Sequence, residues 1–243
     1  MVSASALIIG DEILSGKIQD KNSYVLAKVL FERGVKLSRL EVISDDIDEI
    51  GRCLKRMSVT SDYVFTSGGI GPTHDDKTYE AIAKAFDRKL VYHEQSLKRF
   101  TEHLSARTPS VSLNEARKKM VLLPDPCEIL WTPGLWVPLV IVENVYVLPG
   151  VPELFEHMLT ANKMHFKGPP IARILVYTAM PEGDIAFDLE RIQNAYPQVA
   201  IGSYPRQDMI DHKVMVSFEG RDAIAVQQAA EEAKEAIGGF ILD

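Results

Sequence analysis

The apolar positions of the first two thirds of the chain alternate between short dense runs and runs of helical spacing. Ala4-Ser5-Ala6-Leu7-Ile8-Ile9 is nearly continuous in apolar and small residues, the pattern of a strand buried on both faces. Asp20-Lys21-Asn22-Ser23 supplies helix-start residues before Val25, Leu26, Val29 and Leu30, and Gly34 is placed to stop that helix. Leu37 to Ile43 reads as a second strand ending in Ser44-Asp45-Asp46, after which Ile47, Ile50, Leu54 and Met57 mark one helical face. Asp62 to Phe65 is a third apolar run, and Tyr79, Ile82, Ala83 and Phe86 again recur at helical spacing. The order βαβαβα predicts an α/β fold: a mostly parallel sheet flanked by helices, with right-handed crossovers.

Further along, His93 to Leu104 predicts a helix, Arg107 to Asn114 a polar loop containing Pro109, and Trp131-Thr132-Pro133-Gly134 a turn. Leu139 to Val142 and Val145 to Leu148, joined by Glu143-Asn144, carry a hairpin signal that adds antiparallel strands at one side of the sheet. Pro149-Gly150-Val151-Pro152-Glu153 then leads into Leu154, Phe155, Met158 and Leu159, a second strand, glycine turn and helix. This turn either frames a wall of a ligand pocket or is simply a well-capped helix start.

Lys167-Gly168-Pro169-Pro170 breaks the pattern and divides the chain into domains 1–168 and 169–243. The tail reads as Ala172 to Thr178, a helix through Ile185, Leu189 and Ile192, strands at Val199 to Ser203 and Lys213 to Phe218, and a last helix through Val226, Ala230, Ala233 and Ile237. That βαββα order makes a small α+β module and would suit a KH-like RNA binder. The tail lacks the Gly-x-x-Gly clamp, however, and from residue 171 onward carries six basic residues against twelve acids. A support or lid role fits it better than nucleic acid.

The chemistry concentrates in Thr66-Ser67-Gly68-Gly69-Ile70-Gly71-Pro72-Thr73-His74-Asp75-Asp76-Lys77-Thr78, between a strand and a helix. Three glycines in four positions let backbone N–H groups approach an anion at the positive end of the helix dipole. Asp75 and Asp76 would repel a phosphate there, unless a divalent cation sits between. The strand ends at Asp11/Glu12 and Asp45/Asp46 bring further acids to the same edge, where open parallel sheets bind ligands. Three acidic strand ends suit a hard cation shared with substrate phosphates. Taken one at a time, Asp11/Glu12 reads as a solvated turn, and Asp75 or Asp76 as a helix cap. Arg117, Lys118 and Lys119 are the one basic cluster, read as a solvated helix end, and His74 reads equally as a structural donor or a base.

Composition narrows the partners. A net charge of −7 and a pI near 5.4 argue against a basic nucleic-acid face and against an anionic membrane surface. No run approaches the roughly 18 apolar residues of a membrane span, and the first residues lack a secretory pattern, so the cytoplasm is the expected location. Cys53 and Cys127 have no metal-site spacing and read as core thiols.

Gly10-Asp11-Glu12-Ile13-Leu14-Ser15-Gly16, Asp20-Lys21-Asn22-Ser23, Asp45-Asp46, the Thr66 to Thr78 stretch and Pro149 to Glu153 resemble the molybdopterin-binding-like domain of the CinA family over roughly residues 4 to 165. The tail resembles that family's small KH-type module. Pro138 to Tyr146 looks most like the corresponding domain of eukaryotic FAD synthases. Bacterial members carry a Gly-Thr-Ala-Pro-Gly-like segment where this chain has Pro133-Gly134-Leu135-Trp136.

The resemblance implies a metal-dependent pyrophosphatase acting on FAD or ADP-ribose, with magnesium or cobalt and supporting potassium. Asp11, Asp46 and Asp76 are the catalytic and metal-binding residues it implies. Glu12, Gly68, Gly69, Gly71, Pro72, Thr73, Asp75, Thr78, Pro149, Gly150, Pro152 and Glu153 are assigned to substrate. The alternatives are ADP-ribose as preferred substrate and a pterin or flavin nucleotide-binding module without turnover. Neither the deamidase domain of bacterial CinA nor the nucleotidyl-transfer domain of FAD synthase is found, so neither activity is expected. A homo-oligomer is left open.

Overall fold

The computed structural model describes residues 2–107, 113–206 and 212–242. Most of the polar loop expected at Arg107 to Asn114, Pro109 included, lies outside the described residues. The chain divides into two compact units, Met1–Gly168 and Pro169–Asp243.

The first unit begins β1 (Ser3–Ile9), α1 (Asp11–Leu14), α2 (Asn22–Glu32), β2 (Lys36–Ile43), α3 (Ile47–Thr60), β3 (Tyr63–Ser67) and α4 (Thr78–Ala85). It continues through β4 (Lys89–Tyr92), α5 (Glu94–Arg107), α6 (Glu115–Lys119), β5 (Leu122–Asp125) and β6 (Glu128–Leu130). The hairpin β7 (Leu139–Val142) and β8 (Val145–Leu148) leads into α7 (Pro152–Ala161). The main sheet has the order β2-β1-β3-β8-β7-β6. Pairings β1 with β2, β1 with β3, and β3 with β8 are parallel, and the hairpin and β6 add antiparallel strands on one side.

Residues 4–9 of β1 are buried without a break because the strand is central and helices cover both faces. On one face Leu7, Ile9 and Val64 pack with Ile50, Leu54 and Met57 of α3 and Ile82 of α4. On the other, Ala4, Ala6 and Phe65 pack with Leu26 and Leu30 of α2 and Phe155, Met158 and Leu159 of α7. Each fully buried side chain of this size contributes about 1.5–3 kcal/mol, so the two cores hold the sheet between helical layers.

Three strands went unread in the apolar pattern. β4 and β5 form a separate antiparallel pair of four residues each, and β6 has three residues, too short for a period-2 signal. Gly10-Asp11-Glu12 is likewise not an open turn: Asp11 starts the single helical turn of α1.

The second unit is β9 (Ala172–Thr178), α8 (Glu182–Ala195), β10 (Ala200–Pro205), β11 (Val214–Gly220) and α9 (Ala223–Ala236). Its antiparallel sheet has the order β10-β11-β9, and Val176, Val216 and Phe218 pack against Ile185, Ile192, Val226, Ala230 and Ala233. Among the described residues no helix is long and apolar enough to cross a membrane.

Candidate functional site

The parallel strands β1, β2, β3 and β8 end on one edge, and that edge carries a cleft of about 490 Å³. Glu12, Gly68, Gly69, Gly71, Pro72, Asp76, Pro149, Gly150 and Pro152 line it, joined by Asp20, Asn22, Met120 and Trp136. The two glycine turns meet there because β3 and β8 are neighbours. The Gly68 N–H donates to Leu148 O (3.3 Å), and a Cβ on Gly150 would lie 3.3 Å from Gly68 Cα. Gly68 itself has φ +108, and a Cβ there would stand 2.3 Å from Ile9 O. Only glycine fits between the two strands at that point.

The first turn is held from inside by Asp76. Its carboxylate accepts from Gly71 N (2.6 Å), Thr73 N (2.8 Å) and the Thr73 hydroxyl. Asp76 therefore clasps the loop and does not cap α4, which starts at Thr78. Thr78 is fully buried, with its hydroxyl donating to Gly68 O (2.9 Å) and its N–H to Gly69 O (2.9 Å). It fastens the turn to the helix and is not at the cleft surface, which revises the substrate contact expected of it. Lys119 Nζ reaches over the same loop to Thr73 O (2.6 Å). With Gly71 and Thr73 engaged, the Gly69 and Ile70 amides take no partner among the described residues and remain available to an anion. At the second turn the amides of Gly150 and Val151 are likewise free among the described residues, at the N-terminus of α7.

Asn22 ties the two turns together. It is buried, and its amide donates to Ser67 Oγ (2.8 Å) and to Gly150 O (2.9 Å). Asp20 in turn accepts from the N–H groups of Asn22 and Ser23, which sets the first turn of α2 beneath the cleft.

The acids divide into two groups. Asp46 is the N-cap of α3: its side chain accepts from Glu49 N (2.8 Å), while Glu49 accepts from the Ser44 hydroxyl (2.9 Å). Asp45, its neighbour, is the one that meets the other strand ends and accepts from Asp11 N (3.0 Å). Burial pushes the Asp45 carboxyl above the usual range; the Asp11 N–H opposes this, and the charges of Asp11, Glu12 and Asp75 add to the rise. Lys77 Nζ donates to the Asp45 backbone carbonyl (3.0 Å). The structure thus gathers Asp11, Glu12, Asp45 and Asp75, and does not gather Asp11, Asp46 and Asp76. Among the described residues no group of three or more His, Cys, Asp or Glu forms a ready metal-holding set. Of the expected trio, Asp46 is engaged by a helix cap and Asp76 by its loop. Asp11, Asp46, Thr73, Asp75, Thr78 and Glu153 do not line the cleft.

The raised pKa of Asp45 has a measurable sign. A carboxyl whose folded-state pKa lies above its ordinary 3.8 contributes stability that is present below that value and lost as pH rises through the folded-state pKa. Asp45→Asn is therefore expected to melt above the parent at pH 7 in chelator, and the gap should close near pH 3. A gap of equal size at both pH values would show that Asp45 carries no charge strain.

Asn22, Lys77, Lys119 and Trp136 were not singled out as site residues from sequence. A signal existed for Lys119, in the basic cluster at 117–119, and for Asp46, whose Asp-x-x-Glu spacing before an apolar helix is that of a capping box.

The family model described as probable molybdopterin binding domain matches residues 5–164, and the one described as FAD synthase, middle domain, matches residues 170–242. A protein of Archaeoglobus fulgidus is 36% identical, over 93% of this chain and 94% of its own length. A probable FAD synthase of Caenorhabditis elegans is 32% identical over 99% of this chain, which spans 51% of that protein. The crystal structure of the protein CinA, of unknown function, from Thermoplasma acidophilum matches with a TM-score of 0.61 at 31% identity, covering 68% of this chain and 99% of its own. By these matches the chain belongs to the probable molybdopterin binding domain family, as a CinA-type member whose second unit matches the middle domain of FAD synthase.

Proposed function

We propose that the cleft binds a dinucleotide pyrophosphate and hydrolyses it, with FAD giving FMN and AMP. The observation that carries this reading is the meeting of two glycine turns that line one cleft and whose amides take no partner among the described residues, with Glu12 on the same wall. The FAD synthases among the relatives favour a flavin nucleotide as substrate.

In this reading the Gly69 and Ile70 amides hold one phosphate, and the N-terminus of α7 at Gly150 and Val151 holds the other. Lys119 and Lys77 supply positive charge at the two sides of the loop. Asp76 keeps the first turn in shape, and Asn22 keeps the spacing between turns. Glu12 is the carboxylate lining the cleft that is engaged by neither loop, since Asp20 and Asp76 are both bonded to backbone amides. It accepts the proton of the attacking water as the new P–O bond forms and the bridging oxygen departs with the other phosphate.

Asp11, Asp45 and Asp75 are near enough for their charges to interact but form no ready-made metal set among the described residues, so a divalent cation here would take most of its shell from phosphate oxygens and water, the usual habit of magnesium. Such a cation, Mg²⁺ or Co²⁺ with K⁺ in support, would neutralise phosphate charge and lower the pKa of a bound water.

The test is incubation of the purified chain with FAD and with ADP-ribose, each with Mg²⁺, with Co²⁺ and K⁺, and with chelator, followed by separation of products. FMN and AMP in equal amounts, lost in chelator, are the expected result. No FMN under any metal overturns the reading, and ADP-ribose cleavage in preference to FAD moves it to that substrate. A second reading, a pterin or flavin nucleotide binder without turnover, is favoured by the internal engagement of Asp46 and Asp76. Calorimetry separates it: a pure binder takes up FAD equally with and without metal and returns it unchanged.

A further inference from the structure

The cleft is lined by apolar side chains as well as by the glycine turns. Besides the glycine turns its wall includes the side chains of Trp136, Val137, Met120, Leu154 and Ile18. Ile18 and Val151 are 56% and 52% exposed, unusual for side chains of this kind beside a cleft. Trp136 is held rigidly. Its indole lies against the buried Phe100 of α5, with centroids 3.8 Å apart and planes 14° from parallel, and His103 flanks it at 6.2 Å. One indole face is covered by Phe100, and the side chain remains half-buried at the cleft wall.

A rigid indole, a methionine thioether and branched aliphatic groups make a surface for the face of a planar ring. They offer almost nothing to its edge: the indole N–H is the one side-chain donor in the set. Adenine, polar around its edge, would leave its donors and acceptors unread there. The isoalloxazine ring is larger and carries an apolar dimethylbenzenoid edge that such a wall covers without loss. The distal ribose of ADP-ribose would leave the wall wet.

We propose that Trp136 is the stacking platform for the isoalloxazine of a flavin nucleotide and sets the preference for FAD over ADP-ribose. This rests on the reading of the cleft as a dinucleotide site, and the test is chosen to separate the two. The chain has two tryptophans, so Trp131→Phe leaves Trp136 as the sole indole emitter. That protein is titrated with FMN, AMP and ADP-ribose, with emission corrected for ligand absorbance. FMN quenches by energy transfer wherever it binds near Trp136, so the quench reads occupancy, and the affinities of the Trp136 variants read the stack. Trp136→Leu should weaken FMN binding about tenfold, the scale of one lost ring stack, with AMP binding held within about twofold. Trp136→Phe should restore most of the difference.

FMN binding unchanged in Trp136→Leu overturns the proposal. Should the leucine variant melt far below the parent, Trp136→Met decides in its place: FMN affinity that falls about tenfold with AMP affinity held keeps the proposal, and unchanged FMN affinity overturns it. FMN binding needs no turnover, so the loss of FMN affinity in the variant without FAD hydrolysis by the parent keeps the platform and removes the enzyme. Hydrolysis by the parent with FMN affinity unchanged in the variant does the reverse.

Discussion

FAD hydrolysis by Asp76→Asn is expected to fall about 10²-fold or more, because the residue shapes the loop whose amides must be in place before the reaction. Its two oxygens accept from two backbone N–H groups and one hydroxyl. An asparagine offers one acceptor and turns an NH₂ toward a donor, so one amide of the loop loses its partner. That costs about 1–3 kcal/mol and frees Gly69 and Ile70 from their fixed orientation. Hydrolysis at saturating metal is measured beside a thermal melt. A variant that hydrolyses FAD within a few-fold of the parent would show that the clasp is irrelevant to turnover.

The largest loss of stability is expected at Gly68→Ala. Its Cβ would stand 2.3 Å from Ile9 O, a backbone atom of the central strand that cannot yield, at a φ of +108. We expect a cost of about 3 kcal/mol, or about 10 °C in Tm for a unit of this size, together with loss of FMN binding. Gly134→Ala is the control: φ is +79 there, but nothing lies within 4 Å of the added carbon. It should cost only about 1 kcal/mol of torsional strain. Equal losses at the two positions would mean that the contact with Ile9 relaxes and that the φ requirement alone governs both.

Much of the first unit was legible in its sequence because its signals are local. The buried run at residues 4–9, the hairpin across Glu143-Asn144 and the glycine turns each declare themselves within ten residues. The division of acids between Asp45 and Asp46 was harder, since adjacent residues leave a strand end in different directions and only backbone geometry decides which one caps α3. Asn22, Lys119 and Trp136 act through contacts with residues 128, 46 and 36 positions away, which no periodicity encodes. β4, β5 and β6 escaped notice because three or four residues carry no recognisable alternation.

The neighbourhood of β3 and β8 also fixes when the cleft can exist. Its two turns sit at residues 68 and 150, and the register that joins them pairs Val64 with Val145 and Ser67 with Leu148. During synthesis the first turn leaves the ribosome some 80 residues before its partner, and at about 5–20 residues per second that is a wait of several seconds. Through that interval the edge of β3 that pairs with β8 is uncovered, because its partner has not yet been made. A nascent chain halted before residue 145 has β1, β2 and β3 to pair but lacks the second glycine turn, so the cleft is incomplete. Once α7 has emerged, a nucleotide bound as proposed would engage only the completed sheet and stabilise it by mass action. In that reading the supply of nucleotide bears on how much of the newly made protein stays folded.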